Sequence, residues 1–154
     1  MAYSLAFRLL GNEDDAKDLV QETFIRIWTK LPSYQNDKKF STWMYSIATN
    51  LCLDKLKSSK QKMKPESIDN VLNCLISTEN SDKKLLNTEL GYIIQNFTNE
   101  LTPKQKIVFT LRCIEELEID EVIQITGMTA AKIKSNLFLA RQSIQHKLEK
   151  YGKY

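Results

Sequence analysis

Apolar residues recur along this chain at helical intervals and fall into an early and a late group separated by a polar stretch. Residues 13–31, EDDAKDLVQETFIRIWTKL, place Ala16, Leu19, Val20, Phe24, Ile27, Trp28 and Leu31 on one side of a helix. Asp14, Asp18 and Glu22, spaced by four, line the other side. After Pro32 and the polar run SYQNDKK comes a second helix, FSTWMYSIATNLCLDKLK at 40–57, with Ser41 or Thr42 as its cap. Its positions Trp43, Ile47, Asn50, Asp54 and Lys57 advance by four and three, so one stripe mixes an aromatic, an amide, an acid and a base. In the last third, Ile119, Val122, Ile123 and Ile125 predict a short helix. Gly127 supplies a turn because it tolerates positive φ, and Thr129 caps a long helix striped by Ile133, Leu137, Ala140, Ile144 and Leu148. Two helices about a tight glycine turn form a unit whose second helix enters the DNA major groove. The fold expected is all-α.

The middle divides the chain. Residues 58–84, SSKQKMKPESIDNVLNCLISTENSDKK, are rich in Ser, Asn, Lys and Asp, contain Pro65, and keep no helical stripe beyond the apolar run Val71 to Ile76. Such a composition predicts a linker, longer than an ordinary loop, between two helical modules. A chain of 154 residues with 42% hydrophobic composition accommodates two small domains.

Charge sharpens the late group. The formal net charge is only +3, yet from Met128 onward six Lys or Arg face Glu149 alone. Lys132, Lys134, Ser135 and Arg141 are residue types that contact phosphates or base edges, whereas Glu115, Glu116, Glu118, Asp120 and Glu121 precede the turn. The plainer alternative is a helix pair with a solvated basic face. Aromatics beside bases in the second helix suit stacking on unpaired bases. Lys38 and Lys39 flank it on one side, and Lys55, Lys57, Lys60, Lys62 and Lys64 on the other. The acidic stripe at 14, 18 and 22 is either a solvated face or a docking surface for a basic partner.

Other chemistries are disfavoured. Cys52, Cys74 and Cys113 are widely spaced and His146 is the sole histidine, a pattern that supports neither a zinc site nor a disulfide framework. Cys52 and Cys113 are expected as small core residues in a reducing cytoplasm. No nucleophile and base pair, metal cluster or phosphate loop stands out, so neither an enzyme nor a cofactor is expected. No segment reaches the length of a membrane span, which predicts a soluble cytoplasmic protein.

Acidic helix, loop, FSTW helix, linker and helix-turn-helix in this order resemble the extracytoplasmic-function (ECF) subfamily of sigma-70 family RNA polymerase sigma factors. GNEDDAKDLVQETF and KFSTWMYSIATNLCLD look like its region-2 domain, and LTPKQKIVFTLRCIEELEIDEVIQITGMTAAKIKSNLFLAR looks like its region-4 domain. The resemblance implies a region-2 bundle at 1–58, beginning inside the family's usual first helix, a linker at 59–87, and a region-4 helix-turn-helix domain at 88–154. It implies that Asp18, Gln21 and Glu22 dock on core polymerase. Lys38, Lys39, Phe40, Trp43, Asn50, Asp54 and Lys57 would serve the −10 element, with the loop from Ser33 to Lys39 capturing a flipped base. Lys132, Lys134, Ser135, Phe138 and Arg141 would read the −35 element. Asn136 and Leu139 stand where the family commonly has arginine, so isolated −35 binding is expected to be weak. The partners implied are core polymerase, promoter DNA and an anti-sigma protein, with no small-molecule substrate and no direct membrane insertion. Two rivals stay open at this point: a stand-alone helix-turn-helix regulator, and a degenerate sigma factor that only binds an anti-sigma protein.

Overall fold

The computed structural model describes residues 2–34, 39–62 and 96–151. Lys38, Cys74 and most of the expected linker lie outside them. Helix α1 (Ala2–Leu10) ends at Gly11, whose φ of 71° lets its N–H turn back to the Phe7 carbonyl at 2.8 Å. Asn12 then caps α2 (Glu13–Lys30), its side-chain oxygen accepting from the Asp15 N–H at 2.9 Å. A short turn at Leu31–Ser33 leads towards α3 (Phe40–Lys62). This helix starts earlier than the sequence suggests. The Trp43 N–H already bonds the Lys39 carbonyl at 3.1 Å, so Ser41 and Thr42 lie in the first turn instead of capping it.

The three helices bury Leu5, Ala6 and Leu9 of α1, Ala16 and Leu19 of α2, and Tyr45, Ala48 and Cys52 of α3. The stripe of α2 differs from the expected one. Its buried residues are Ala16, Leu19, Thr23 and Ile27, while Phe24, Trp28 and Leu31 are exposed. Thr23 goes inside because its hydroxyl donates to the Leu19 carbonyl at 2.7 Å, leaving no unsatisfied donor, and its small side chain admits the neighbouring helices. That choice rotates the large aromatics outward.

In the C-terminal half, Thr102 and Gln105 form a reciprocal capping box and Pro103 opens α4 (Pro103–Phe109). The helix runs on as a π turn at Thr110–Ile114. After it, Glu116 takes a left-handed φ of 55°. Helix α5 (Ile119–Thr126) ends at Gly127, φ 67°, and α6 (Ala130–Tyr151) follows, the Thr129 hydroxyl accepting from the Lys132 N–H at 3.4 Å. Ile133, Ala140 and Ile144 are buried, Leu137 is half-buried and Leu148 is exposed, so the stripe of α6 fades at its end.

The two halves do not keep separate cores. Tyr45, Ala48 and Cys52 belong to one buried cluster with Ile107, Val108, Leu111, Val122, Ile125 and Ile133. A smaller cluster of Leu101, Ala140 and Ile144, with Phe97 and Phe109 beside it, closes α4 on α6.

Candidate interaction surfaces

Three exposed surfaces collect the residues singled out from the sequence. On α2, Asp18, Gln21 and Glu22 are all exposed. Glu22 accepts from Arg26 Nε at 2.8 Å, a pair open to solvent and of small energetic worth. Asp18 and Gln21 make no hydrogen bond or ion pair among the described residues. At 100° per residue, Ile25 falls between Asp18 and Gln21 on the helix, and Trp28 lies beside Gln21. Both are exposed, Trp28 to 79%. The acidic face therefore continues into an apolar one. Periodicity alone assigned Trp28 to the core, because it counts hydrophobicity and cannot see which neighbours are present.

The second surface gathers at the start of α3. Tyr34, Phe40 and Trp43 form an aromatic cluster, with Tyr34 to Phe40 centroids 5.6 Å apart, Tyr34 to Trp43 4.9 Å, and Phe40 to Trp43 5.6 Å. Phe40 is exposed and Trp43 half-buried. Tyr34 was missed in the sequence, although its place in a polar loop beside two other aromatics is the signal that pointed to it. The mixed stripe of α3 splits: Ile47 turns into the core, while Asn50, Asp54 and Lys57 stay in solvent on the face of the helix opposite Tyr45, Ala48 and Cys52. Lys39 reaches Glu121 of α5 at 3.2 Å. The Glu121 carboxyl is held below its ordinary range, first by the Glu118 backbone N–H it accepts from and then by Lys39.

The third surface is α6. Lys132, Lys134, Ser135, Phe138 and Arg141 are exposed over the half of the helix not taken by its buried stripe, after the glycine turn, Phe138 to 65%. Arg141 Nη2 lies 3.4 Å from Cys113 Sγ. Cys113 is half-buried at this edge and so departs from the expected core role, whereas Cys52 keeps it. Burial pushes the Cys52 thiol up to about 12, which leaves it protonated and unreactive. Among the described residues no helix is long and apolar enough to cross a membrane.

Residues 1–62 match the family profile of sigma-70 region 2, and residues 92–144 match that of sigma-70, region 4. The ECF RNA polymerase sigma factor SigW of Bacillus subtilis is 29% identical over 95% of this chain and 82% of its own length. The ECF sigma factor SigE of Mycolicibacterium smegmatis is 32% identical over 97% of the chain, which spans 58% of that relative. Among solved structures, the sigma factor RpoE of Bartonella quintana, in complex with the anti-sigma factor NepR, superimposes with a TM-score of 0.74 at 20% identity, covering 96% of this chain and 89% of that one. CnrH, in complex with the cytosolic domain of CnrY, gives a TM-score of 0.65 at 19% identity over 97% of this chain and 81% of its own.

Proposed function

The chain belongs to the extracytoplasmic-function group of the sigma-70 family of transcription initiation factors, and on that premise we propose how its surfaces divide the work of a sigma factor. It binds core polymerase, recognises and melts promoter DNA, and leaves catalysis to the polymerase. The face of α2 carries the docking: Asp18 and Gln21 have no hydrogen-bond or ion-pair partner among the described residues, Glu22 is held by an exposed pair, and Ile25 and Trp28 extend the patch. A partner surface with basic groups beside an apolar strip fits this face, since exposed acids steer the encounter and a desolvated tryptophan supplies affinity.

The start of α3 serves the −10 element. A base turned out of the stack meets Phe40 and Trp43, with Tyr34 behind them, while Lys39, Asn50, Asp54 and Lys57 meet backbone and base edges; Lys38 is assigned with them from its position in the chain. Stacking worth ~1–3 kcal/mol per base helps to hold a small bubble once polymerase adds its own contacts. Lys132, Lys134, Ser135, Phe138 and Arg141 on α6 read the −35 element, Phe138 being suited to a thymine methyl. The proposed domain division at 1–58, 59–87 and 88–154 assigns the first two surfaces to the region-2 domain and the third to the region-4 domain, although α3 runs on to Lys62. A structural relative captured with an anti-sigma factor supports such an inhibitor as a further partner. The site of action is the cytoplasm, where the polymerase works.

The observation that carries this reading is the exposed acidic and apolar face on α2, in the same chain as a basic helix-turn-helix. A pull-down of bacterial core polymerase with the wild-type chain and with Asp18→Arg, followed by transcription from a fragment library, tests it. Binding and discrete starts with wild type alone are expected. Specific duplex binding without polymerase would replace this reading with a stand-alone regulator.

A further inference from the structure

Glu115 sits where the backbone is least regular. It follows the π turn of Thr110–Ile114 and precedes Glu116, a non-glycine residue at φ 55°. Irregular turns and left-handed non-glycine residues persist where surrounding contacts over-determine them. Here those contacts come from the other half of the chain. One carboxylate oxygen of Glu115 accepts from Arg8 Nη1 of α1, and the other accepts from the Tyr45 hydroxyl of α3 at 2.7 Å. All three groups are largely withdrawn from water, so removing Glu115 takes the acceptor from the Tyr45 hydroxyl and the paired carboxylate from the Arg8 guanidinium. Burial, reinforced by the Glu115 charge, raises the Tyr45 hydroxyl well above its ordinary range and keeps it a donor. Further out, Lys39 and Glu121 make a second tie between the halves at 3.2 Å.

We infer that Glu115 is the acceptor of an interdomain latch that, with Arg8 and Tyr45, holds the two helical halves shut in the free chain. Its significance rests on the sigma reading above. By their numbering the two promoter boxes lie about 25 base pairs apart, or ~85 Å of duplex at ~3.4 Å per base pair. A folded chain of this length has a radius of gyration of only ~15 Å by size scaling. The closed form therefore cannot serve both boxes, and it occupies Lys39, one of the −10 residues, with Glu121. Residues 63–95 reach on the order of 100 Å if extended at ~3.3 Å per residue, enough to let the halves part. The latch restrains that separation until partners replace the interdomain contacts.

The test uses the full chain carrying Cys74→Ser and Cys113→Ser, so that Cys52 in the shared core is the only thiol. Small-angle scattering and the rate of N-ethylmaleimide labelling are measured with Glu115→Ala and Arg8→Ala, helical content being checked by circular dichroism. If either change reduces helicity, Glu115→Gln takes its place in the same measurements. An increased radius of gyration, or Cys52 labelling at least tenfold faster, is expected, with the double variant little beyond either single one. An unchanged radius together with unchanged labelling would overturn the latch and leave the shared apolar core as the sole tie. Neither readout involves polymerase, so failure of the sigma reading, seen as wild type that does not bind polymerase, is a distinct result.

Discussion

Helices α2 and α6 are both long, bury narrow stripes and leave aromatic side chains in solvent, yet their exposed faces carry opposite charge. On α2 the acids Asp14, Asp18 and Glu22 border Ile25 and Trp28; on α6 the bases Lys134 and Arg141 border Phe138. Exposed aromatics are costly to leave wet and mark contact surfaces in both cases. The sign of the surrounding charge then sorts the partners, a basic protein surface for one and a polyanion for the other. What distinguishes the two functions is the electrostatic setting of the aromatic residue more than the residue itself.

The strongest way to break this comparison is to reverse the sign on α2. Asp18→Arg places a cation against a basic partner and should lower polymerase affinity by at least ~100-fold, as like charges across an interface cost several kcal/mol. Because Asp18 is exposed and has no partner among the described residues, the thermal midpoint should stay put; a binding assay beside a melting curve separates the two. Removing the apolar half is the next largest effect. Trp28→Ala should weaken docking by about 10- to 100-fold, as expected for an aromatic anchor. A fall of many degrees in melting temperature would instead make Trp28 a packing residue.

The nucleic-acid surfaces should respond more mildly. Trp43→Ala is expected to leave docking intact and slow bubble opening about tenfold, within the ~1–3 kcal/mol of one stacked base. Stopped-flow opening with a fluorescent base in the −10 box measures this, and unchanged kinetics would confine Trp43 to packing against Tyr34 and Phe40. Lys134→Ala should reduce −35 affinity only severalfold and flatten its logarithmic salt dependence by ~0.9, the signature of one phosphate contact. An unaltered slope in a salt titration would remove Lys134 from the DNA surface.

The helical periods, the glycine turn at Gly127, the polar middle and the opposite charges of α2 and α6 were legible in the residues. Each is a local property, set by backbone preference or by spacing along one helix. The family-bearing segments were legible for the same reason, being contiguous. The burial of Thr23 in place of Phe24 and Trp28 was not, since a hydroxyl satisfied by the carbonyl four residues earlier can enter a core that periodicity reserves for hydrophobes. Cys113 at the edge beside Arg141, in place of the core, is a similar case.

By itself the amino-acid sequence determined an all-helical chain of two modules, the residue types each surface offers and the family to which they belong. Only the tertiary structure decided that the modules share a core, that Glu115 meets Arg8 and Tyr45 from the far half of the chain, and that Lys39 answers Glu121. Contacts between residues some 70 to 107 positions apart leave no period to read. They arise when already formed helices bury their remaining apolar surface against one another, and the fit of those surfaces exists only in three dimensions.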